Sequence, residues 1–245
     1  MTVTIIVPTL NEIKGMQQIM PRIKPEWYDQ LIVLDGHSVD GTVEWCQSQG
    51  YEVFTQQKVG MWNAYKELFQ SGNVNGDIVV TFSPDGNSIP ELIPLLVSKM
   101  DGDYDMVIAS RYKDAAKSYD DTVITSFGNH LLNWMVNVLS SGHYTDSLVM
   151  FRAYKRDVVE KLGFMDATPA FYRQMLKMST LFSFEPCLSL RAAREKLKVC
   201  EIPGDEPPNI TLDGKRRENW LVHGVIIVSQ ILYDALFYHR RRWYA

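Results

Sequence analysis

An α/β fold with a mostly parallel sheet covered by helices on both faces is what this sequence predicts. Two patterns predict it. Short, continuously apolar runs rich in Val and Ile recur, and longer amphipathic stretches separate them. A chain of 245 residues is also long enough to bury such a sheet. Residues 3–7 read as the first strand and residues 13–23 as a helix. Residues 31–34 form a second strand, and the helix at 42–49 stops at Gly50. A third strand follows at 51–55, a helix at 60–69, and a fourth strand at 77–82 with Ile78, Val79 and Val80 in a row. A helix at 89–100 leads to a strand at 106–109. Residues 122–140 repeat apolar positions at helical spacing and suit either core packing or the wall of a lipid-chain groove. Gly204-Asp205-Glu206-Pro207-Pro208 breaks regular structure, and residues 220–238 read as a last, largely apolar helix. The expected division is a catalytic domain over 1–203 and a loop with a C-terminal helix over 204–245.

Composition narrows the function. Apolar residues are 46% and charged residues 22%, as in ordinary globular proteins. A net charge of -4 argues against nucleic acid as a partner. Cys46, Cys187 and Cys200 lie far apart, without the spacing of a zinc site or a disulfide framework. No phosphate loop or dinucleotide fingerprint is present. With no basic start or long apolar run at the N-terminus, a cytoplasmic protein is expected. Charge is uneven: from Asn209 onward six basic residues face three acidic ones, giving +3, so the preceding part carries -7. Lys215, Arg216 and Arg217 before the last helix, Arg240, Arg241 and Arg242 after it, and Trp220, Trp243 and Tyr244 suit a helix lying on a membrane surface or against another chain, a second copy included. A buried helix completing the domain is the other reading. Asp234 makes a single membrane crossing costly.

Polar residues gather after the strands. Thr9, Asn11 and Glu12 follow the first, Asp35, His37, Ser38 and Asp40 the second, and Ser83, Asp85, Asn87 and Ser88 the fourth. In open α/β sheets ligands sit beyond the carboxyl ends of the strands. Asp35 and Asp85, each placed soon after an apolar strand, are expected to serve function. Asp40 and Ser88 suit helix capping equally well.

Three of these segments, Val7-Pro8-Thr9-Leu10-Asn11-Glu12, Asp35-Gly36-His37-Ser38-Val39-Asp40-Gly41-Thr42 and Ser83-Pro84-Asp85, resemble family-2 glycosyltransferases of the GT-A fold. Lys58-Val59-Gly60, Ala64-Tyr65, Ser110-Arg111-Tyr112, Thr145-Asp146-Ser147 and Phe151-Arg152-Ala153-Tyr154-Lys155-Arg156 continue the likeness in order over about two thirds of the chain. The branch it looks most like is the dolichol-phosphate mannose synthase and polyprenyl-phosphate sugar synthase group. The resemblance implies a UDP- or GDP-linked sugar donor held by Pro8, Thr9, Asn11, Glu12, Asp35, Lys58, Gly60, Ser83 and Pro84. It implies a magnesium or manganese ion at Asp85 and Asn87. It assigns catalysis to Asp85, Arg111, Asp146 and Arg152, with Arg111 toward the acceptor or diphosphate and Asp146 positioning Arg152 or an acceptor group. Glu185 is the implied base for a hydroxyl acceptor, or else only a helix cap.

Three departures stand out. Ser83 replaces the first acid of the usual Asp-x-Asp, which should lower metal affinity. Gly36 replaces the second acid of an Asp-Asp pair, and Trp62 stands where glycine is frequent. The implied reaction is an inverting, metal-assisted transfer to a polyprenyl phosphate. Transfer to a saccharide or other hydroxyl, nucleotide-sugar binding without turnover, and a membrane-docking scaffold are the alternatives.

Overall fold

The structure, a computed structural model, describes residues 1–179, 182, 184–211 and 220–241. Seven strands form one sheet: β1 (Val3–Thr9), β2 (Gln30–Asp35), β3 (Glu52–Thr55), β4 (Ile78–Thr81), β5 (Met106–Ser110), β6 (Arg152–Lys155) and β7 (Val199–Pro203). Their order is β3-β2-β1-β4-β6-β5-β7. Every pairing is parallel except those of β6, which runs antiparallel between β4 and β5. The mostly parallel α/β sheet expected from the sequence is therefore present.

Nine α-helices accompany the sheet: α1 (Ile13–Ile19), α2 (Thr42–Ser48), α3 (Met61–Gln70), α4 (Ile93–Met100), α5 (Val123–Ser140), α6 (Val158–Lys161), α7 (Ala170–Met178), α8 (Glu185–Arg194) and α9 (Trp220–Arg241), counted among the described residues. Strand alternation divides the apolar side chains between two cores. Ile5 and Val7 point into a core with α1, α2 and α4, whereas Ile6 faces one built with α3, α5, α8 and α9. All seven residues of β1 are buried. This is why the strands read as unbroken apolar runs rather than as alternation.

Two strands were hidden from the periodicity. β6 carries Arg152 and Lys155 in four residues, and β7 is an edge strand whose exposed side weakens its pattern. Arg152 is fully buried all the same, because Val149 and Ser147 carbonyls and the Ser189 hydroxyl accept its protons.

The last helix packs on α5 and α8, with Ile226 and Ile231 in the same core as α3 and α5. Asp234 is 1% exposed and accepts from Arg191 Nε at 2.5 Å and Nη2 at 2.8 Å. Arg191 stacks in turn on the Phe164 and Tyr238 rings, at 4.4 and 4.8 Å. No helix among the described residues is long and apolar enough to cross a membrane. Lys215, Arg216, Arg217, Arg242, Trp243 and Tyr244, and the side chains of Trp220, Arg240 and Arg241, lie outside what is described, and with them the expected basic and aromatic flanks.

Candidate active site

The β1–β4 ladder ends at Ile6, while β1 continues beside β2 to Thr9. Pro8, which has no N–H to donate, lies on this stretch paired on one side only. Beyond it the first two loops interlock. Asn11, in the left-handed region at φ 56°, donates its N–H to Ser38 Oγ at 2.9 Å and accepts from Val39 N at 2.8 Å through Oδ1. Asp35 accepts from His37 N at 2.9 Å and Ser38 N at 3.1 Å. Asp40 accepts from Ile13 N and Thr42 N, both at 3.1 Å. Glu12 N donates to Thr42 Oγ1. These bonds fix the loop backbone before any ligand arrives. Thr9 Oγ1 is left buried without a partner. Lys58 is exposed, and Gly60, at φ 108°, caps α3.

The loop after β4 turns at Gly86, φ 95°, and is packed from two sides. Ile210 N donates to the Asp85 carbonyl at 2.8 Å. A Cβ on Gly15 would stand 2.1 Å from the Pro84 carbonyl oxygen, so only glycine lets α1 approach. Asp85 accepts from Asn87 N at 3.0 Å. Desolvation pushes the Asp85 carboxyl above the usual carboxylate range, against the hydrogen bonds from Asn87 and Ser83 that favour the charged form. Asn87 Nδ2 donates to Asp120 Oδ2 at 3.2 Å, while its Oδ1 is buried and unpartnered.

Arg111, just past β5, is forked onto Asp146: Nε to Oδ2 at 2.6 Å and Nη2 to Oδ1 at 3.0 Å. Its Nη1 reaches Glu206 Oε1 at 3.3 Å. Asp146 is buried, and its own N–H is held by Glu201 at 2.9 Å. Burial opposes the Arg111 charge, but Asp146 and Glu206 outweigh it and raise its pKa. Desolvation pushes Glu206 up despite Arg111. Asp85, Asn87, Arg111, Asp120 and Glu206 line one cavity of about 290 Å³. Among these side chains, carboxylates outnumber the single guanidinium.

Arg111 also lines a second, larger cavity of about 580 Å³ between α5 and α9. Ile124, Leu131 and Leu132 wall it from α5, and Val225, Ile227 and Val228 from α9. No charged residue other than Arg111 lines it. Gly128 and Gly224 face each other's helices across it, and a Cβ at either would meet nothing within 4 Å. The outer face of α5 is apolar too: Phe127 is 71% exposed and Trp134 59%, with Val123 and Val138 beside them.

The structure thus gathers Ser83, Asp85, Asn87 and Arg111 at one cavity, with Pro84 in the same loop, and holds Asp146 behind Arg111. It sets Pro8, Thr9, Asn11, Glu12 and Asp35 on the adjoining interlocked loops, with Lys58 and Gly60 on the next. Arg152 and Glu185 are not brought there. Arg152 is spent inside the fold, and Glu185 is buried with Tyr65, Tyr154 and Arg152 as its charged or titratable neighbours. Neither lines either cavity. Sequence reasoning missed Asp120 and Glu206. Glu206 sat in a segment read only as a break, and Asp120 in an unassigned stretch before α5.

Comparison with known proteins gives a consistent picture. The glycosyl transferase family 2 model matches residues 4–174, well over half the chain. The chain is 26% identical over 217 residues to an undecaprenyl-phosphate mannosyltransferase of Micrococcus luteus, covering 83% of this chain and 82% of that one. It is 24% identical over 201 residues to the glycosyltransferase AglJ of Haloferax volcanii, covering 82% of this chain but 61% of the relative. Against an undecaprenyl-phosphate 4-deoxy-4-formamido-L-arabinose transferase of Enterobacter, at 27% identity, it spans half the relative's length. Among solved structures, glucosyl-3-phosphoglycerate synthase from Mycobacterium tuberculosis, in complex with Mn2+, UDP and glucosyl-3-phosphoglycerate, superimposes with a TM-score of 0.70 at 19% identity. That match covers 96% of this chain and 79% of the other. It is a likeness of fold. On the extent of the family match and the order of its motifs along the sheet edge, the chain belongs to glycosyl transferase family 2.

Proposed function

We propose that this glycosyltransferase moves a sugar from a nucleoside-diphosphate donor to a polyprenyl phosphate, with inversion at the anomeric carbon. One observation carries the acceptor class: the polar cavity at Asp85 and Arg111 adjoins a mostly apolar groove between α5 and α9, which shares Arg111 with it and has no Asp, Glu or Lys in its lining. A ligand with an anionic head and a long apolar tail matches that pair of environments. A small polar acceptor has no use for the groove. The undecaprenyl-phosphate transferases among the relatives support the same class.

The buried, unpartnered Asn87 Oδ1 and the desolvated Asp85 carboxylate suit an oxygen-bound divalent cation. The manganese in the solved relative supports this. Among the described residues no group of three or more His, Cys, Asp or Glu is placed to hold a metal, so diphosphate oxygens and water would complete the shell. When bound, such an ion supplies positive charge to the departing diphosphate. The acceptor phosphate oxygen attacks the anomeric carbon, and the bond from that carbon to the diphosphate breaks. A phosphate is already anionic and needs no general base, in keeping with Glu185 lying away from both cavities. The interlocked loops after β1 and β2 would seat the nucleoside, and Asp146 keeps Arg111 at the junction of the cavities. The apolar outer face of α5 reaches the groove through Ile124 and Leu131, which suits contact with the lipid surface from which such an acceptor comes.

The test is to plug the groove. Gly128→Leu and Gly224→Leu have room for their first side-chain carbon, and glycine inside a helix costs about 1 kcal/mol relative to alanine, so folding is preserved. Radiolabel transfer from nucleotide-sugar to polyprenyl phosphate should fall at least tenfold, with donor binding unchanged. Undiminished lipid labelling in the double variant overturns the acceptor assignment.

A further inference from the structure

Ser83 leaves the loop after β4 one carboxylate short of the Asp-x-Asp pair that the sequence resembles. We propose that Asp120, from a different part of the chain, supplies the missing carboxylate, so that Asp85, Asn87 and Asp120 form the protein's share of a divalent-cation site. The proposal rests on the reading above that a divalent cation acts at this cavity.

Three observations converge. Asp120 lines the same cavity as Asp85 and Asn87 and is joined to Asn87 at 3.2 Å. That bond occupies the amide nitrogen and leaves the buried Oδ1 as an acceptor with nothing to accept from. A carboxylate offers about four lone-pair positions, so Asp120 keeps capacity for a cation after this contact. Second, neither Asp85 nor Asp120 forms an ion pair among the described residues. Arg111, the cation lining the cavity, is forked onto Asp146 and touches Glu206 instead. Two carboxylates sharing a cavity without a counter-charge repel, and a divalent ion between them removes that penalty.

Third, the segment bearing Asp120 is tied down on both sides although Asp120 itself is exposed. Tyr119 N donates to the Glu206 carbonyl at 2.8 Å, and Ser118 Oγ to the Glu206 carboxylate. On the other side Tyr112 OH donates to Asp121 at 2.6 Å, and Thr122 caps α5 with a reciprocal pair of bonds to Thr125. A solvent-facing loop held this firmly presents Asp120 at a defined place rather than as a wandering surface charge.

The experiment measures Mn2+ binding to the full chain by the electron paramagnetic resonance of free Mn2+, without substrate turnover. Asp85→Asn should abolish binding. Asp120→Asn should weaken it about tenfold or more, as loss of one charged oxygen ligand implies. Ser83→Asp placed in the Asp120→Asn background should restore it, because it returns the second carboxylate to the loop. Asp120 is exposed, so its variant folds, and circular dichroism confirms it. Wild-type affinity in Asp120→Asn, together with loss in Asp85→Asn, overturns the role of Asp120 while the cation reading stands. Equal Mn2+ binding by wild type and Asp85→Asn overturns both.

Discussion

Replacing Asp234 by Ala removes one half of a buried ion pair and leaves Arg191 charged at 2% exposure. Arg191 would keep the Leu162 carbonyl at 2.9 Å but lose both bonds to Asp234, and Tyr172 OH would lose its acceptor there. Breaking a buried pair from one side costs about 3–5 kcal/mol. Against a typical stability of roughly 5–15 kcal/mol, that removes a third or more of the total in most of this range. Urea unfolding followed by circular dichroism and by tryptophan fluorescence reads the loss. Because α9 forms one wall of the groove, lipid labelling should fail before the fold does. The sign with pH is fixed. Burial alone would raise the Asp234 carboxyl, but Arg191 and the hydrogen bonds hold it below the usual range. Its contribution is therefore present above the unfolded value of about 4 and disappears as pH falls through the lower folded value. The gap between wild type and Asp234→Asn should narrow only in that acid range. A loss under about 1 kcal/mol in Asp234→Ala would refute the view that this pair anchors α9.

Two further outcomes are expected. Gly15→Ala brings a methyl group to 2.1 Å from the Pro84 carbonyl, so the loop bearing Asp85 must shift; activity should fall sharply and the midpoint of urea unfolding should move down by about 1–3 kcal/mol equivalent. Phe127→Glu with Trp134→Glu places two charges on the exposed face of α5 and should release the protein from sedimenting liposomes with little change in thermal stability; unchanged co-sedimentation would remove α5 from the lipid contact.

The parallel body of the sheet was legible because β1, β2, β4 and β5 are buried almost throughout and each is centred on consecutive Val, Ile or Leu residues, as in Ile5-Ile6-Val7 and Leu31-Ile32-Val33-Leu34. The loops after them were legible because Asp, Asn and Ser cluster where strands end. β6 was not, since Arg152 reads as a surface or catalytic residue until its acceptors inside the fold are seen. Asp146 had an expected tie to Arg152, yet its carboxylate turns to Arg111, 35 positions away. Asp120 and Glu206 belong to the cavity only through folding: one precedes α5, the other follows β7, and no local pattern links them to Asp85. In α9, Asp234 looked like an obstacle in an apolar helix because its partner Arg191 lies 43 positions earlier.

The groove between α5 and α9 has a finite volume and stands open toward the apolar outer face of α5. A long isoprenoid carrier would place only the units next to its head group between these helices and leave the remainder in the surrounding lipid. Carriers that differ at the far end, in length or in saturation, would then look alike to the enzyme, and selection among them would fall on the first few units beyond the phosphate.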